Sequence, residues 1–179
     1  RRQRQMCIRD RQLVGEHGLR PEEVNEIRVG GFRQITLLGE YAPTSTVAAQ
    51  YSVPFSVALA LSFGGIGPRE LTTENLEDEE LLDLARRVKL SVDPELDRLF
   101  PEKTVASITI DTDRGTFTTT VEYPRGNPEN PLSDAELGEK FTWLASEVVG
   151  EGRSIRLKET VERLEELDDV RRLTTQLAF

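Results

Sequence analysis

The chain of 179 residues has one cysteine, one histidine, one methionine and one tryptophan. A single cysteine excludes an internal disulfide and suits a reducing, cytoplasmic setting. A single histidine, His17, excludes a histidine-built metal centre and a histidine relay. No apolar run is long and clean enough for a spanning helix, and no hydrophobic segment has the shape of a secretory signal. Positive charge is also short. The net charge of −9 argues against a nucleic-acid surface or an anionic membrane face. Missing as well are a Gly-x-Gly-x-x-Gly turn after a strand, a phosphate loop, His-Glu-x-x-His, Cys-x-x-Cys and Gly-x-Ser-x-Gly. The carboxylates cluster at helix starts and loops, where solvation and helix electrostatics account for them, so a metal site is not needed to explain them.

What little positive charge there is sits at the front. Residues 1–11 hold five arginines and Asp10, which leaves −13 on residues 12–179. This stretch reads unlike everything after it and is similar to a translated sequencing adapter, which would make it non-native. The rival readings are a basic nucleic-acid arm and a targeting peptide. Gln12 to His17 reads as the end of a helix with Gly18 as its stop. His17 then stands as an exposed last-turn residue, with an acid–base role as the sharper alternative.

The longest nearly uncharged run is Ala48 to Gly65, 18 residues. In so acidic a chain it must be buried. It predicts a central helix that begins near Thr44 to Thr46, is kinked or restarted at Pro54, and ends at Gly64 and Gly65. Val53, Val57, Ala58 and Leu61 fall on one face, Phe55, Leu59 and Ser62 on another. The polar front, Gln50, Tyr51 and Ser52, either caps the following segment or faces a ligand cleft.

Around this helix the pattern predicts a strand at Glu26 to Val29 and an unclear Phe32 to Leu38. A helix over Leu76 to Arg87, capped by Asn75, should bury Leu81, Leu82, Leu84 and Ala85. A strand at Val88 to Val92 and a short helix at Pro94 to Phe100 follow. Thr104 to Tyr123 reads as a hairpin turning at Asp113-Arg114-Gly115. A proline-punctuated loop, Pro124 to Ser133, leads to a helix over Asp134 to Val149. Ser133 and Glu136 make its capping box, with a stripe of Leu137, Phe141, Leu144, Ala145 and Val148. A last helix from Ser154 should bury Leu157, Val161, Leu164 and Leu167, before a short final segment over Asp169 to Leu177. The fold class is α+β: an antiparallel or mixed four-strand sheet with a long hairpin, packed by helices.

Three stretches in register carry a resemblance. They are Glu16-His17-Gly18-Leu19-Arg20-Pro21-Glu22-Glu23-Val24 with Ile27-Arg28-Val29, then Ala49-Gln50-Tyr51-Ser52-Val53-Pro54-Phe55-Ser56-Val57-Ala58, and Gly126-Asn127-Pro128-Glu129-Asn130-Pro131-Leu132-Ser133 with Lys140-Phe141. From about Gln12 to Leu177 the chain resembles the C-terminal part of the MmgE/PrpD family of 2-methylcitrate dehydratases, cis-aconitate decarboxylases and iminodisuccinate epimerases. The resemblance implies that 12–179 is a small lid domain whose partner is a large helical domain preceding it. The intact enzyme would be a homodimeric lyase. It would remove a proton beside a carboxylate of a small di- or tricarboxylic acid, with no required cofactor. The resemblance places most catalytic residues on the large domain and carries none onto this chain. Gln50, Tyr51 and Ser52 match the motif near the cleft and are the substrate-binding candidates. Gly126, Asn130 and Pro131 match an ordered loop that pins the hairpin to the next helix or forms a hinge or lid edge. Arg28, Arg33 and Arg69 are the loose cations that could meet an acid. The rival class is a self-contained, non-enzymatic α+β binding or interaction module. A lid separated from its partner should expose apolar surface beside the front of the central helix.

Overall fold

The computed structural model describes residues 18–177. They fall into two compact units, 18–130 and 131–177. The segment 1–11, the helix end expected from Gln12 and His17 lie outside the described residues.

In the first unit β1 (Val24–Gly31), β2 (Val88–Val92), β3 (Ala106–Thr112) and β4 (Gly115–Val121) form one mixed sheet in the order β2-β1-β3-β4. The β1–β2 pair is parallel, with Ile27 opposite Val88 and Val29 opposite Leu90; the other two pairs are antiparallel. Parallel neighbours need a crossover. The crossover here carries the apolar run, which lies between β1 and β2 in sequence and packs on the sheet. Ile27, Val29, Ile108, Ile110 and Val88 join Phe55, Val57, Leu59 and Leu61 in one core.

The central run is two helices. α1 (Thr46–Ala49) is capped by Ser45, and α2 (Val53–Phe63) by Ser52. Pro54 restarts the helix, because its missing N–H costs nothing in the first turn. Val53 through Leu61 are all buried, so α2 has no solvent face until Ser62, and the expected pair of faces merges into an all-round core helix. Gly64, at φ 71°, takes the left-handed turn that ends it. Full burial of nine consecutive residues explains why this segment organises the unit.

Several boundaries moved. The expected helix over Leu76 to Arg87 is divided into α3 (Thr73–Leu76), capped by Thr72, and α4 (Glu79–Arg86), capped by Asp78. Asp78 accepts from the amides of Glu80 and Leu81 and starts a new helix there. Asn75 is no cap; its side-chain amide donates to the Glu70 carbonyl at 2.7 Å. Leu81, Leu82, Leu84 and Ala85 are buried as expected. Phe32 to Leu38 is neither strand nor loop: Arg33–Leu38 is a 3₁₀ turn, and the Phe32 ring stacks on Phe100 at 4.7 Å. The helix after β2 is short, α5 (Pro94–Asp97). In the hairpin Thr112 faces Gly115 across a two-residue turn, so Gly115 opens β4 rather than sitting in the turn.

The second unit holds α6 (Asp134–Val149), α7 (Glu151–Glu162) and α8 (Arg171–Leu177). Ser133 and Glu136 form the expected capping box. The packing differs from the stripe read in sequence. α6 meets α7 along small residues: Gly138 lies under the Lys158 side chain, and the Ser146 and Ser154 hydroxyls are 2.9 Å apart. The large apolar residues stand one step round the helix. Leu137 is 55% and Val148 68% exposed. In the last helices only Ser154 and Leu157 are buried; Val161 and Leu164 are exposed. Small side chains let the two helix backbones approach closely, and of the stripe Leu137, Phe141 and Val148 stay exposed while Leu144 and Ala145 are half-buried. α8 is held to α7 by Arg153, whose Nε donates to the Gln176 carbonyl at 2.7 Å.

Candidate functional site

The lip of the first unit is built by the break between α1 and α2. Gln50 closes α1 in a helical conformation, Tyr51 follows, and Ser52 adopts the extended conformation of an N-cap. Ser52 is buried. Its Oγ accepts from the Phe55 amide at 3.0 Å and donates to the Glu40 carbonyl. Both hydrogen-bonding capacities of the hydroxyl are therefore used inside the protein, and the arrangement is that of a cap. Gln50 and Tyr51 behave oppositely: both are exposed, Tyr51 by 61%. The tripeptide thus divides into one anchor and two presented side chains at the front of the buried core helix.

Apolar surface accompanies that front. Tyr41 is 48% and Val47 64% exposed. The Arg86 guanidinium lies 5.5 Å from the centre of the Tyr41 ring, a cation–π contact that also ties α4 to this region. Tyr41 is not among the candidates that the sequence motifs single out. The signal that could have marked it is a tyrosine placed in a polar turn with no alternating partner to bury it.

The proline-rich loop is ordered by its own backbone. Gly126, at φ 94°, donates its amide to the Asn130 carbonyl at 2.7 Å, and the Asn130 amide donates to the Asn127 carbonyl at 3.0 Å. The Asn130 side chain donates to the Tyr123 carbonyl at 3.0 Å and accepts from Arg125 at 2.8 Å. Gly126 supplies the left-handed turn and Asn130 closes it onto the end of β4. Pro131 is exposed and begins the second unit.

The three cations read as loose are not alike. Arg28 binds Asp111 and, at 3.0 Å, Glu26 on the outer face of the sheet. Those hydrogen bonds hold its guanidinium charged, led by the one to Asp111. Asp111 in turn is held below the usual carboxylate range, first by the Thr116 hydroxyl and then by Arg28. Arg33 lies 3.8 Å from Asp97, and its amide donates to the same carboxylate at 2.7 Å. Arg69 also has a partner. Among the described residues no group of three or more His, Cys, Asp or Glu is arranged to hold a metal ion. No described helix is long and apolar enough to cross a membrane. A cleft in the second unit is lined by Glu159, Thr160, Arg163, Glu166, Leu167 and Arg172; its balanced charge does not select an acidic ligand.

The model of the MmgE/PrpD C-terminal domain matches residues 10–166. The chain belongs to the MmgE/PrpD family. A cis-aconitate decarboxylase of Aspergillus terreus (strain NIH 2624 / FGSC A1156) is 31% identical over 134 residues, covering 73% of this chain and 27% of the relative. A second cis-aconitate decarboxylase, of Aspergillus terreus, is 27% identical over 168 residues, covering 86% of this chain and 34% of the relative. The chain therefore spans about a third or less of the length of these curated relatives. The family match runs across both units and includes the Gln50–Ser52 lip and the Gly126–Pro131 loop.

Proposed function

We propose that this MmgE/PrpD C-terminal domain is the small α+β part of a lyase for small di- or tricarboxylic acids, and that it closes an active-site cleft against a large helical domain. The reading is carried by the lip: a buried serine cap fixes the front of the core helix, and Gln50 and Tyr51 stand exposed on it. A side-chain amide and a phenol so placed can each donate a hydrogen bond to a substrate carboxylate. The surrounding apolar residues, Tyr41 and Val47, would lose their solvent contact as the cleft closes. Two relatives named cis-aconitate decarboxylase favour decarboxylation of cis-aconitate over dehydration of 2-methylcitrate. In dehydration a general base on the large domain removes a proton beside a carboxylate and the hydroxyl leaves, protonated, as water; in decarboxylation carbon dioxide leaves and a proton donor on the large domain supplies the proton that the remaining electron pair takes up. The lid contributes orientation and exclusion of water, in a cytoplasmic enzyme that needs no cofactor.

The test uses both this chain and a longer protein in which it follows the large domain. The chain alone is expected to turn over neither cis-aconitate nor 2-methylcitrate. In the longer protein Tyr51→Phe and Gln50→Ala should each lower kcat/KM about tenfold, the loss of one hydrogen bond to a charged group. Turnover by the chain alone, or wild-type kcat/KM in both variants, overturns the proposal.

A further inference from the structure

The hydrogen bond from the Ser52 hydroxyl to the Glu40 carbonyl closes residues 40–52 into a loop at its base. Tyr51 adjoins one partner of that bond and Tyr41 adjoins the other, so the two tyrosines meet at the same lip. The strand of loop after Tyr41 is rooted: Pro43 is buried, and the Ser45 Oγ accepts from the Ala48 amide at 3.1 Å and caps α1.

The Tyr41 ring is held from the side. Arg86, the last residue of α4, places its guanidinium 5.5 Å from the ring centre. That guanidinium is bound by Asp83 and lies 3.8 Å from Glu79. α4 packs on α2, with Leu81, Leu82, Leu84 and Ala85 buried, so the cation is carried by an element fixed to the core. A cation over one face of an aromatic ring favours one placement of the ring plane. The ring keeps a large accessible area all the same, since Tyr41 is 48% exposed. A flat side chain is thus fixed in orientation beside Gln50 and Tyr51.

A fixed flat ring discriminates by shape. An acid that is planar about a carbon–carbon double bond can lie along it over the whole contact. A saturated acid of the same skeleton has tetrahedral carbons and touches it at fewer atoms. Charge does not separate the two, because both carry the same carboxylates.

We infer that Tyr41 is a specificity-determining residue of the lip, that it favours a planar, unsaturated tricarboxylic acid over its saturated counterpart, and that Arg86 is the residue that positions its ring. This rests on the closure proposed for the domain and adds to it the shape of acid the cleft selects.

The probes are trans-aconitate and tricarballylate, which share one carbon skeleton and three carboxylates and differ by the double bond. Their dissociation constants are measured by calorimetry on the longer protein. Tyr41→Leu is expected to weaken trans-aconitate about fivefold and to leave tricarballylate within about twofold. Tyr41→Phe keeps the ring and should hold both within about twofold. Arg86→Met frees the ring and should shift selectivity in the same direction as Tyr41→Leu, Arg86→Lys should restore it, and Arg86→Met should add nothing once Tyr41 is leucine. In the 179-residue chain, with no ligand present, Arg86→Met should move the Tyr41 ring-proton resonances. Both side chains are exposed, and each variant should melt within about 5 °C of wild type. Equal losses for the two acids in Tyr41→Leu, or no loss for either, overturn the inference. Ring resonances indifferent to Arg86→Met overturn the part given to Arg86. Tyr51→Phe and Gln50→Ala separate this from the closure itself. If they lower kcat/KM while Tyr41→Leu leaves selectivity unchanged, the Tyr41 inference alone fails; a wild-type protein that binds neither acid overturns both.

Discussion

Replacing Ser52 with alanine tests whether this hydroxyl is a structural cap or a substrate ligand. The substitution removes an N-cap, which costs about 1 kcal/mol in helices generally. The bond lost is the one that the Phe55 amide donates to Oγ at 3.0 Å, and because that amide is buried the cost lies at the upper end of the range for caps, about 2 kcal/mol. The Glu40 carbonyl, at an exposed residue, can turn to water and adds little. The expected loss is therefore about 2 kcal/mol, a large share of the roughly 5–15 kcal/mol that holds a domain folded. In thermal unfolding followed by circular dichroism it corresponds to a fall in Tm of about 6–10 °C. Urea titration should show a lower midpoint with an unchanged slope. In the longer enzyme, assayed well below its Tm, Ser52→Ala should keep kcat/KM within about threefold of wild type, because a cap acts on the folding equilibrium. A Ser52→Ala protein of wild-type stability whose turnover has collapsed would refute the reasoning and place the hydroxyl on the substrate.

Leu59 is fully buried at the middle of α2, so Leu59→Ala should cost about 3 kcal/mol in urea unfolding through the cavity it leaves. Gly138 meets only the flexible end of Lys158, with Cε 2.6 Å from where a Cβ would stand. Gly138→Ala should accordingly be neutral or stabilise by up to about 1 kcal/mol from helix propensity, and a clear loss would show that the Lys158 side chain cannot move aside. The Asp111 carboxyl titrates below its ordinary value of 3.8, led by the Thr116 hydroxyl at 2.6 Å. Its contribution to stability is present above that ordinary value and is lost as pH falls through the lower folded one. Carbon-detected NMR should find the midpoint depressed, and Thr116→Val should raise it toward 3.8.

Much of the fold was legible because short-range rules and long-range packing agreed. Val88 to Val92, the hairpin strands and the Ser133–Glu136 box each combine a periodicity with a local stop signal, and each formed where expected. Legibility failed where two local signals competed. Asn75 and Asp78 are both good caps three residues apart, and the choice went to Asp78 because its carboxylate reaches two amides. At the lip, sequence brought Gln50, Tyr51 and Ser52 together as one polar group. Which of them is anchored depends on whether the Glu40 carbonyl arrives within reach of Ser52, and that carbonyl lies twelve residues away along the chain. Tyr41 and Arg86 were missed for the same reason, since their contact joins two segments 45 residues apart.

Composition and periodicity alone determined the α+β class and the burial of the 53–61 helix, since these rest on which residues can leave water and on local backbone preference. Tertiary structure decided that α2 is buried on every side from Val53 to Leu61 and that Leu137 and Val148 of α6 stay exposed while Gly138 and Ser146 take the α7 contact. It also decided that Ser52 is held while Gln50 and Tyr51 are presented. Burial on one face rather than another, and a hydrogen bond made or left open, depend on which distant segment arrives. That is a property of the assembled chain, because no local preference encodes the position of a partner many residues away.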